Sequence, residues 1–365
     1  MKVLVTGGGT GGHIFPALAV ADVLRDRGAD VRFFGATDGP EATAVPAAGY
    51  PFTGVSVLSA QTRLSWRTLR AVVRITRSAL RIRRQVREVD VVASVGGFAS
   101  APAVLAARWT RRPVVLIESN GVPGIVNRVA ARWAVMAATA FEATATRFPS
   151  RLRVVRTGNP IRPQIVAAAT DPAPSRQAAL GAFGLETGRR TVIVLGGSQG
   201  ALSLDRAAAG ALSLLHERGD LQLLVSAGPA HTNIVAAAVD PTAPLLVRVV
   251  PFIDRMDLAL AIADLAVSRS GGSVAELAVC GVPAILVPYP HATENHQAAN
   301  ARELERAGAA RVVADRDLTP QIFARQVDEL LADDTTRAAM ASAMRSWARP
   351  QAARAIARLI EEAAR

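Results

Sequence analysis

The sequence predicts an α/β protein of two doubly wound domains, each with a parallel sheet between layers of helices. Two glycine-rich loops, residues 7–12 and 196–200, each follow a short apolar run, as loops between a buried parallel strand and a helix do. The two loops are about half the chain apart. A chain of 365 residues, half of them hydrophobic, is also longer than one ordinary core requires. Two similar nucleotide-type domains therefore account for the pattern.

Apolar runs that alternate with helical patterns give the elements of each half. In the first half, strands are predicted at residues 2–6, 30–35, 51–57, 89–95 and 113–118. The pattern restarts in the second half, with strands predicted at residues 191–195, 221–226, 245–250, 265–268, 283–288 and 310–314. Such alternation is typical of parallel sheets with crossover helices. Residues 171–175, with two prolines, are predicted to be a hinge or linker, and residues 335–365 to be helical.

The composition limits the class of protein. Cys280 is the single cysteine, so no internal disulfide is possible, and its apolar neighbours predict a small buried thiol in a reducing compartment. No run approaches the roughly 20 apolar residues that span a bilayer. The N-terminus reads as a strand and not as a secretory signal. These observations predict a protein that is soluble or peripheral on a membrane, with a net charge of +12.

A helix with one stripe of arginines is predicted over residues 63–87, which contain no acidic side chain. The arginines recur at spacings of three and four, and therefore share one helical face: Arg63, Arg67, Arg70, Arg74, Arg77, Arg81 and Arg84. The stripe is interpreted as a solvated face, as a contact with an anionic membrane surface, or as a nucleic-acid site. Nucleic acid is disfavoured because no aromatic residue other than Trp66 interleaves with the arginines.

The glycine loops indicate phosphate binding. Gly7, Gly9 and Gly12 match the dinucleotide fingerprint of oxidoreductases, but the second strand lacks the acidic residue that would hold the ribose. A third loop, residues 268–273, follows a predicted strand and opens the helix that contains Glu276. Its small residues would let a diphosphate approach the helix N-terminus, and Glu276 could accept hydrogen bonds from ribose hydroxyls. Glu276 is alternatively an acid that only complements the helix dipole.

No metal site is predicted. Asp315 and Asp317 precede a helix start, and are predicted to serve capping and surface charge. His216 and His231 have no spaced partner and are predicted to be surface or loop histidines. His291 and His296 share a loop with Glu294, but match no zinc spacing.

Together these motifs resemble the MurG family of bacterial N-acetylglucosaminyltransferases. The resemblance starts with Gly-Gly-Gly-Thr-Gly-Gly-His-Ile-Phe-Pro-Ala-Leu-Ala at residues 7–19 and covers nearly the whole chain. It continues at residues 96–98, 118–121, 127–128, 158–162, 196–201, 252–254, 268–271, 276 and 296–300. The family implies a GT-B fold, an α/β fold of two Rossmann-like domains that face a cleft. It also implies an acceptor and membrane domain at residues 1–163, a UDP-sugar domain at 164–340, and a C-terminal helix at 341–365 that packs back on the first domain.

The resemblance further implies substrates and their ligands. The donor is UDP-N-acetylglucosamine, with the uracil on the backbone of Ile253 and the ribose on Glu276. The diphosphate is held by Arg162, Ser198, Ser270, Gly271, Gly272 and Ser273. The sugar or phosphate side of the donor meets His296, Gln297 and Asn300. The acceptor, a lipid diphosphate that carries a muramoyl-pentapeptide, is lined by Thr10, Gly11, Gly12, His13 and Asn120.

The resemblance also favours the membrane interpretation of the arginine helix, with Trp66, Arg67, Arg70, Arg74 and Arg77 as contact residues. The enzyme is then expected on the cytoplasmic side, peripheral at the inner face of the cell membrane. We predict inverting transfer that needs no metal or cofactor, with helix N-termini and Arg162 stabilising the leaving diphosphate. His13 is predicted to be the general base, since an imidazole titrates near neutral pH; the alternative is a structural role beside the acceptor phosphate.

Two departures from the family pattern leave other functions open. The third loop is one residue shorter before Glu276, and the family's His-Glu-Gln-Asn segment appears as Ile117-Glu118-Ser119-Asn120. A MurG-like enzyme that acts on another lipid or natural-product acceptor is therefore the first alternative. A UDP-sugar 2-epimerase is the second alternative, but it would need carboxylates in the cleft, and its reaction does not require a basic helix. A non-catalytic membrane protein that binds nucleotide is the third alternative.

Overall fold

The computed structural model describes residues 1–9, 11–56, 66–197 and 200–365, without the side chains of residues 66–69. It divides into two compact units. The first comprises Met1–Arg162 and Arg349–Arg365, and the second comprises Pro163–Ala348. Each unit has its own parallel β-sheet, and the helices of each unit cover both faces of its sheet.

The sheet of the first unit has seven strands in the order β3-β2-β1-β4-β5-β6-β7. All its pairings are parallel. The strands are β1 (Lys2–Thr6), β2 (Asp30–Ala36), β3 (Phe52–Val55), β4 (Val91–Ser94), β5 (Val114–Glu118), β6 (Met136–Thr139) and β7 (Arg153–Arg156). The central strands are apolar on both faces because both faces are covered.

The helices of this unit are α1 (Gly11–Asp26), α2 (Glu41–Ala47), α3 (Trp66–Arg87), α4 (Ala101–Thr110), α5 (Ile125–Ala130), α6 (Glu142–Ala145) and, from the end of the chain, α16 (Ala352–Ala363). The face with α1 buries Val3, Val20 and Ile356. The opposite face, with α3 and α4, buries Ile82 and Leu116. The last helix therefore completes the core of the first unit, and its apolar stripe is covered.

The second unit has a six-stranded sheet in the order β10-β9-β8-β11-β12-β13, again parallel throughout. Its strands are β8 (Arg190–Leu195), β9 (Leu221–Ser226), β10 (Leu246–Val250), β11 (Leu265–Ser268), β12 (Ala284–Leu286) and β13 (Ala310–Val312). Its helices are α7 (Pro163–Thr170), α8 (Pro172–Phe183), α9 (Leu202–Leu215), α10 (Thr232–Ala236), α11 (Met256–Ile262), α12 (Ser273–Cys280), α13 (His296–Arg306), α14 (Pro320–Ala332) and α15 (Asp334–Trp347).

The structure corrects four expectations about the elements. The predicted linker at residues 171–175 is the start of α8, because prolines fit the first turn of a helix, where an N–H has no partner. The strands β6 and β7 were not predicted, since β6 is Met-Ala-Ala-Thr, with two alanines that do not favour a strand, and β7 has only two apolar residues between arginines. The predicted C-terminal helical segment is two helices, separated by a break that contains Pro350. The third strand ends at Val55, and residues 57–65 lie outside the described residues.

The strand order reverses at one point in each sheet, between β1 and β4 in the first unit and between β8 and β11 in the second. Ligands of doubly wound sheets bind outside the carboxyl ends of the strands at such points. The three glycine-rich loops that the sequence singles out follow β1, β8 and β11. The fold therefore places all three beside a reversal point.

Candidate functional site

The first glycine-rich loop joins β1 to α1 and lies against the loop that follows β4. Gly97 has a φ of 77°, and a Cβ there would lie 2.6 Å from the carbonyl oxygen of Gly8. Only glycine permits both this conformation and this approach. The two loops flank the reversal point of the first sheet, at the carboxyl ends of β1 and β4.

His13 is half-buried in the first turn of α1, and its Nδ1 lies 3.2 Å from the carbonyl oxygen of Gly8. Since a carbonyl only accepts, this contact selects the neutral tautomer with the proton on Nδ1 and the basic lone pair on Nε2. Gly11 and Gly12 are the first two residues of the same helix. Thr10, predicted to line the acceptor with them, lies outside the described residues.

A buried carboxylate that the sequence analysis missed lies beneath this loop. Glu41, the first residue of α2, is 1% exposed, and accepts hydrogen bonds from the backbone N–H groups of Gly9 and Ala36 at 3.0 Å each. In the sequence, Glu41 looks like any acidic residue in the first turn of a helix. No neighbouring residue marks it as buried, because its hydrogen-bond partners, Gly9 and Ala36, both precede the helix.

A second buried carboxylate organises the loop that follows β5. Oε1 of Glu118 accepts from the backbone N–H and the side-chain amide of Asn120, at 3.1 and 3.3 Å. Oε2 accepts from the N–H of Gly124 and from Nδ2 of Asn127, both at 3.0 Å. Burial raises the pKa of the Glu118 carboxyl above its ordinary value, and these hydrogen bonds oppose the rise. The buried Glu118 carboxylate thus fixes the position of Asn120, which is predicted on the acceptor side.

The loop after β5 is also tied to its neighbours. The hydroxyl of Ser119 donates to Oδ1 of Asn159 at 2.8 Å, and both residues are buried. Asn127 is fully buried and accepts from the hydroxyl of Ser94 at 3.3 Å. The serine that departs from the family segment therefore has its hydroxyl bonded to Asn159, in the loop after β7.

Arg162, predicted to hold the donor diphosphate, ends the first part of the first unit. Its guanidinium carbon lies 5.2 Å from the ring centroid of Phe15, which is 40% exposed on α1. This is a cation–π contact, and it positions the guanidinium beside the helix turn that carries His13.

The second glycine-rich loop joins β8 to α9. Gly200 has a φ of 76°, and a Cβ there would lie 2.2 Å from the carbonyl oxygen of Ala227, so Gly200 packs directly on the loop after β9. Ser198, predicted to bind the diphosphate, lies outside the described residues.

Behind this loop is a buried pair that the sequence analysis missed. Asp205 of α9 is fully buried, and its Oδ2 accepts from the N–H of Ala201 at 3.1 Å and meets Nδ1 of His231 at 3.0 Å. Burial raises the pKa of Asp205, while its contacts with Ala201, His231 and Arg269 lower it. His231 lies half-buried in the turn before α10, and the sequence analysis did not foresee its contact with Asp205. Its partner is 26 residues away in sequence, beyond the reach of a spacing rule.

The third loop joins β11 to α12 and is held by α13. Ser270 is fully buried, and its hydroxyl donates to the carbonyl oxygen of Gln297 at 2.8 Å. Asn300 is fully buried as well, and donates from Nδ2 to the carbonyl oxygen of Ser270 at 2.9 Å. Gly271 and Gly272 complete the turn, and Ser273 begins the helix. The structure therefore brings Ser270, Gln297 and Asn300 together at this loop, and their predicted contacts with the donor stay a prediction.

The start of α13 supports the same loop. Oε1 of Gln297 accepts from the backbone N–H of Tyr289 at 2.9 Å, and Nδ1 of His296 lies 2.8 Å from the carbonyl oxygen of Thr293. Glu294 and Asn295 both have left-handed backbone conformations, with φ of 53° and 56°. Two consecutive residues of this kind cost free energy, and such strain concentrates at ligand-binding sites.

Arg269 links the third loop to the first turn of α9. Its guanidinium contacts Oδ1 of Asp315 at 2.5 Å and the hydroxyl of Ser203 at 2.8 Å, and the Ser203 hydroxyl also donates to Asp315. Arg269 is 7% exposed. The expectation that Asp315 serves only capping and surface charge is therefore wrong, because this carboxylate neutralises a buried arginine. Asp317 is exposed, as a surface charge would be.

The remaining donor residues occupy the same end of the second sheet. Ile253 is buried in the loop after β10, and Glu276 is half-buried in the first turn of α12. One turn further on lies Cys280. Its side chain is half-buried, whereas the sequence analysis predicts a buried thiol. Burial, Glu276 and Asp257 raise the pKa of its thiol to about 12.

The helix α3 carries the arginine stripe. Its inner face, with Ala79, Ile82 and Val86, is buried in the core. Arginines cover the outer face, where Arg70, Arg74, Arg77, Arg81 and Arg84 are exposed. At 100° per residue, the exposed Val73 and Leu80 lie directly beside this stripe. Trp66 and Arg67, predicted to belong to the same surface, have side chains outside the described set.

Within the described ranges, no three His, Cys, Asp or Glu side chains cluster as metal ligands. No helix within those ranges is long and apolar enough to cross a bilayer.

Comparison with known proteins gives the family of both units. The model of the glycosyltransferase family 28 N-terminal domain matches residues 3–139, and that of the family 28 C-terminal domain matches residues 191–359. A relative from Halothermothrix orenii is 35% identical over 100% of both chains. It is named UDP-N-acetylglucosamine--N-acetylmuramyl-(pentapeptide) pyrophosphoryl-undecaprenol N-acetylglucosamine transferase.

Two solved structures are also similar. MurG from Acinetobacter baumannii matches with a TM-score of 0.79 and 30% identity, over 99% of both chains. A UDP-GlcNAc 2-epimerase from Neisseria meningitidis, bound to UDP-GlcNAc, matches with a TM-score of 0.70 and 13% identity, over 99% of this chain and 100% of that one. The second likeness shows the shared fold alone. The predicted GT-B fold is confirmed.

Proposed function

This chain belongs to glycosyltransferase family 28 and, within it, to the MurG family, and we propose that it completes a lipid-linked peptidoglycan precursor. It transfers N-acetylglucosamine from UDP-N-acetylglucosamine to a muramoyl-pentapeptide carried on a lipid diphosphate. The likeness to the relative from Halothermothrix orenii, over the full length of both chains, supports this activity and these substrates.

One observation in the structure supports it most directly. In the second unit, the loops after β8 and β11 flank the reversal point of the sheet, and each leads into a helix. Backbone N–H groups at a helix N-terminus bind phosphate, and Glu276 lies one turn behind. A diphosphate with a ribose attached matches this arrangement of donors and acceptor.

The chemistry that we propose is a single displacement. The acceptor hydroxyl gives its proton to Nε2 of His13, and its oxygen forms a bond to the anomeric carbon of the sugar. The bond between that carbon and the diphosphate oxygen breaks, and UDP leaves with the electron pair. Attack from the face opposite to the leaving group inverts the anomeric centre. The contact of Nδ1 with the Gly8 carbonyl supports the role of His13, because it keeps the basic lone pair on Nε2.

The leaving diphosphate gains negative charge as the bond breaks. We propose that the helix N-termini after the two loops of the second unit and the guanidinium of Arg162 stabilise that charge, and that no metal ion is required. The arrangement of backbone donors at the starts of α9 and α12 supports this part of the proposal.

We propose that α3 is the surface that holds the enzyme peripherally at the inner face of the cell membrane, where a lipid-linked acceptor would be located. Exposed arginines attract anionic lipid headgroups, and Val73 and Leu80 offer apolar contacts beside them. The position of this surface on the first unit, which also carries His13, supports the proposal.

The test is transfer of label from UDP-N-acetylglucosamine to a panel of lipid-linked acceptors. We expect label in the lipid fraction with the muramoyl-pentapeptide acceptor, and the same rate in EDTA. Label in a different acceptor only would assign the enzyme to another lipid or natural product. Loss of activity in EDTA with recovery in magnesium or manganese would overturn the metal-independent mechanism.

A further inference from the structure

His13 and Glu41 contact opposite ends of one peptide group, the one between Gly8 and Gly9. Its N–H, on Gly9, donates to Oε2 of Glu41 at 3.0 Å, and its carbonyl oxygen, on Gly8, lies 3.2 Å from Nδ1 of His13. We infer that Glu41 is a positioning residue that acts on His13 through this peptide. The inference rests on the proposed role of His13 as general base.

The carboxylate of Glu41 is fixed in this position. Its other oxygen accepts from the N–H of Ala36 at 3.0 Å, and the residue is 1% exposed. Three glycines leave room for it. A Cβ would lie 2.0 Å from Oε1 at Gly8, 2.3 Å from Oε2 at Gly39 and 2.8 Å from Cγ at Gly35. The surrounding chain therefore packs closely around this carboxylate, and both of its oxygens accept a backbone hydrogen bond.

The physical effect follows from the charge on Glu41. A hydrogen bond from a peptide N–H to an ionised carboxylate polarises the peptide, and the carbonyl at its other end becomes a stronger acceptor. When His13 takes a proton during the reaction, Nδ1–H becomes a more acidic donor and gains most from this acceptor. Glu41 therefore orients the neutral ring and stabilises the imidazolium that forms.

A carboxylate that bonds directly to a catalytic histidine has the same two effects in serine proteases. Here one peptide group lies between the two side chains. Because the peptide transmits polarisation and not a proton, no proton moves from His13 to Glu41.

A double-mutant cycle separates this role from a merely structural one. Glu41→Gln keeps the volume and an oxygen acceptor but removes the charge. We expect it to lower kcat about 10-fold in the wild-type background, with KM for UDP-N-acetylglucosamine and for the acceptor within about 2-fold. In the His13→Ala background, measured in single turnovers at high enzyme concentration, Glu41→Gln should lower the rate by less than about 2-fold. Asp38→Asn, which removes an exposed carboxylate from the same turn, is the matched control.

Equal loss of kcat in both backgrounds would overturn the inference, as would a raised acceptor KM with unchanged kcat. A wild-type enzyme that transfers no sugar would overturn the proposed function itself, which is a different result from an additive cycle. A measurement on the wild-type protein covers the case in which Glu41→Gln does not fold. In ¹⁵N NMR of labelled histidine, neutral His13 should carry its proton on Nδ1. A proton on Nε2 would contradict the hydrogen bond from His13 to the Gly8 carbonyl, on which the inference depends.

Discussion

His231 lies against the buried carboxylate of Asp205, with Nδ1 3.0 Å from Oδ2, and so fixes the start of α9 from behind the second glycine-rich loop. The same Oδ2 accepts the N–H of Ala201. A fully buried acid is thus held by one backbone donor and one histidine, with the guanidinium of Arg269 near enough to lower its pKa.

This relationship predicts a pH dependence of stability. Burial raises the folded-state pKa of Asp205 above its ordinary value of 3.8. The folded state therefore keeps a proton that the unfolded state has lost, and this contribution to stability falls as pH rises from 3.8 through the raised value. Asp205→Asn removes the titration. The urea midpoint of the variant minus that of the wild type should therefore increase as pH rises above 3.8, and a midpoint difference that stays constant or decreases would contradict the assignment.

Glu276 tests the donor half-site. If it accepts hydrogen bonds from the ribose, Glu276→Ala removes a charge-assisted contact worth roughly 1.5–3 kcal/mol. We expect the KM for UDP-N-acetylglucosamine to rise about 10- to 150-fold, with the acceptor KM nearly unchanged. Glu217→Ala, which removes an exposed carboxylate elsewhere in the second unit, is the control for net charge. An unaltered donor KM would mean that the shortened third loop has moved Glu276 away from the ribose.

Cys280 should be unreactive in the folded protein. Burial and the carboxylates of Glu276 and Asp257 raise the pKa of its thiol to about 12. At about pH 8, only about one molecule in 10,000 then holds the reactive thiolate. Mass spectrometry after treatment with iodoacetamide should find little label in native protein and full label in guanidinium chloride. Rapid labelling of the native protein would show that the thiol is more exposed than the structure indicates.

The outer face of α3 tests the membrane proposal. Replacing Arg70, Arg74, Arg77 and Arg81 with glutamine removes roughly 1 kcal/mol of attraction to anionic lipid per residue. The variant should no longer sediment with anionic vesicles, while turnover of a short water-soluble acceptor stays near the wild-type rate. Wild-type binding should weaken as salt shortens the Debye length below about 10 Å.

The matched control for α3 is a second quadruple variant with the same change in charge. Arg302, Arg306, Arg316 and Arg325 are exposed on the second unit, and their replacement with glutamine should leave vesicle binding intact. Equal loss of binding in both variants would indicate an effect of net charge alone. Retained binding in the α3 variant would place the membrane contact elsewhere.

The sequence predicts the fold because the strands and loops that define it are local patterns. Apolar runs that lead into glycine loops correctly predict β1 and β8. The small residues 270–273, followed by Glu276, correctly predict the turn into α12. The strands β6 and β7 escape prediction because the alanines of β6 do not favour a strand and the two valines of β7 are too short an apolar run to stand out. The linker prediction failed at Pro172, since proline starts a helix as readily as it interrupts one.

The candidate site is predictable only in part. Residues such as Ser270, Gln297 and Asn300 belong to segments with a recognisable pattern, and the structure brings them together. The supporting groups have no such pattern. Glu41, for example, meets Gly9 from 32 residues away, and Arg269 meets Asp315 across 46 residues. Contacts of this range depend on strand order, which single-residue patterns do not encode.

Sugar transfer with inversion is the central claim, and the anomeric configuration of the product tests it most directly. NMR of a reaction with UDP-N-acetylglucosamine labelled at the anomeric carbon follows that carbon from substrate to product. We predict one labelled product, N-acetylglucosamine in β-linkage to the lipid-linked acceptor, formed together with UDP. Label in UDP-N-acetylmannosamine or in free sugar, or an α-linkage to the acceptor, would contradict the account.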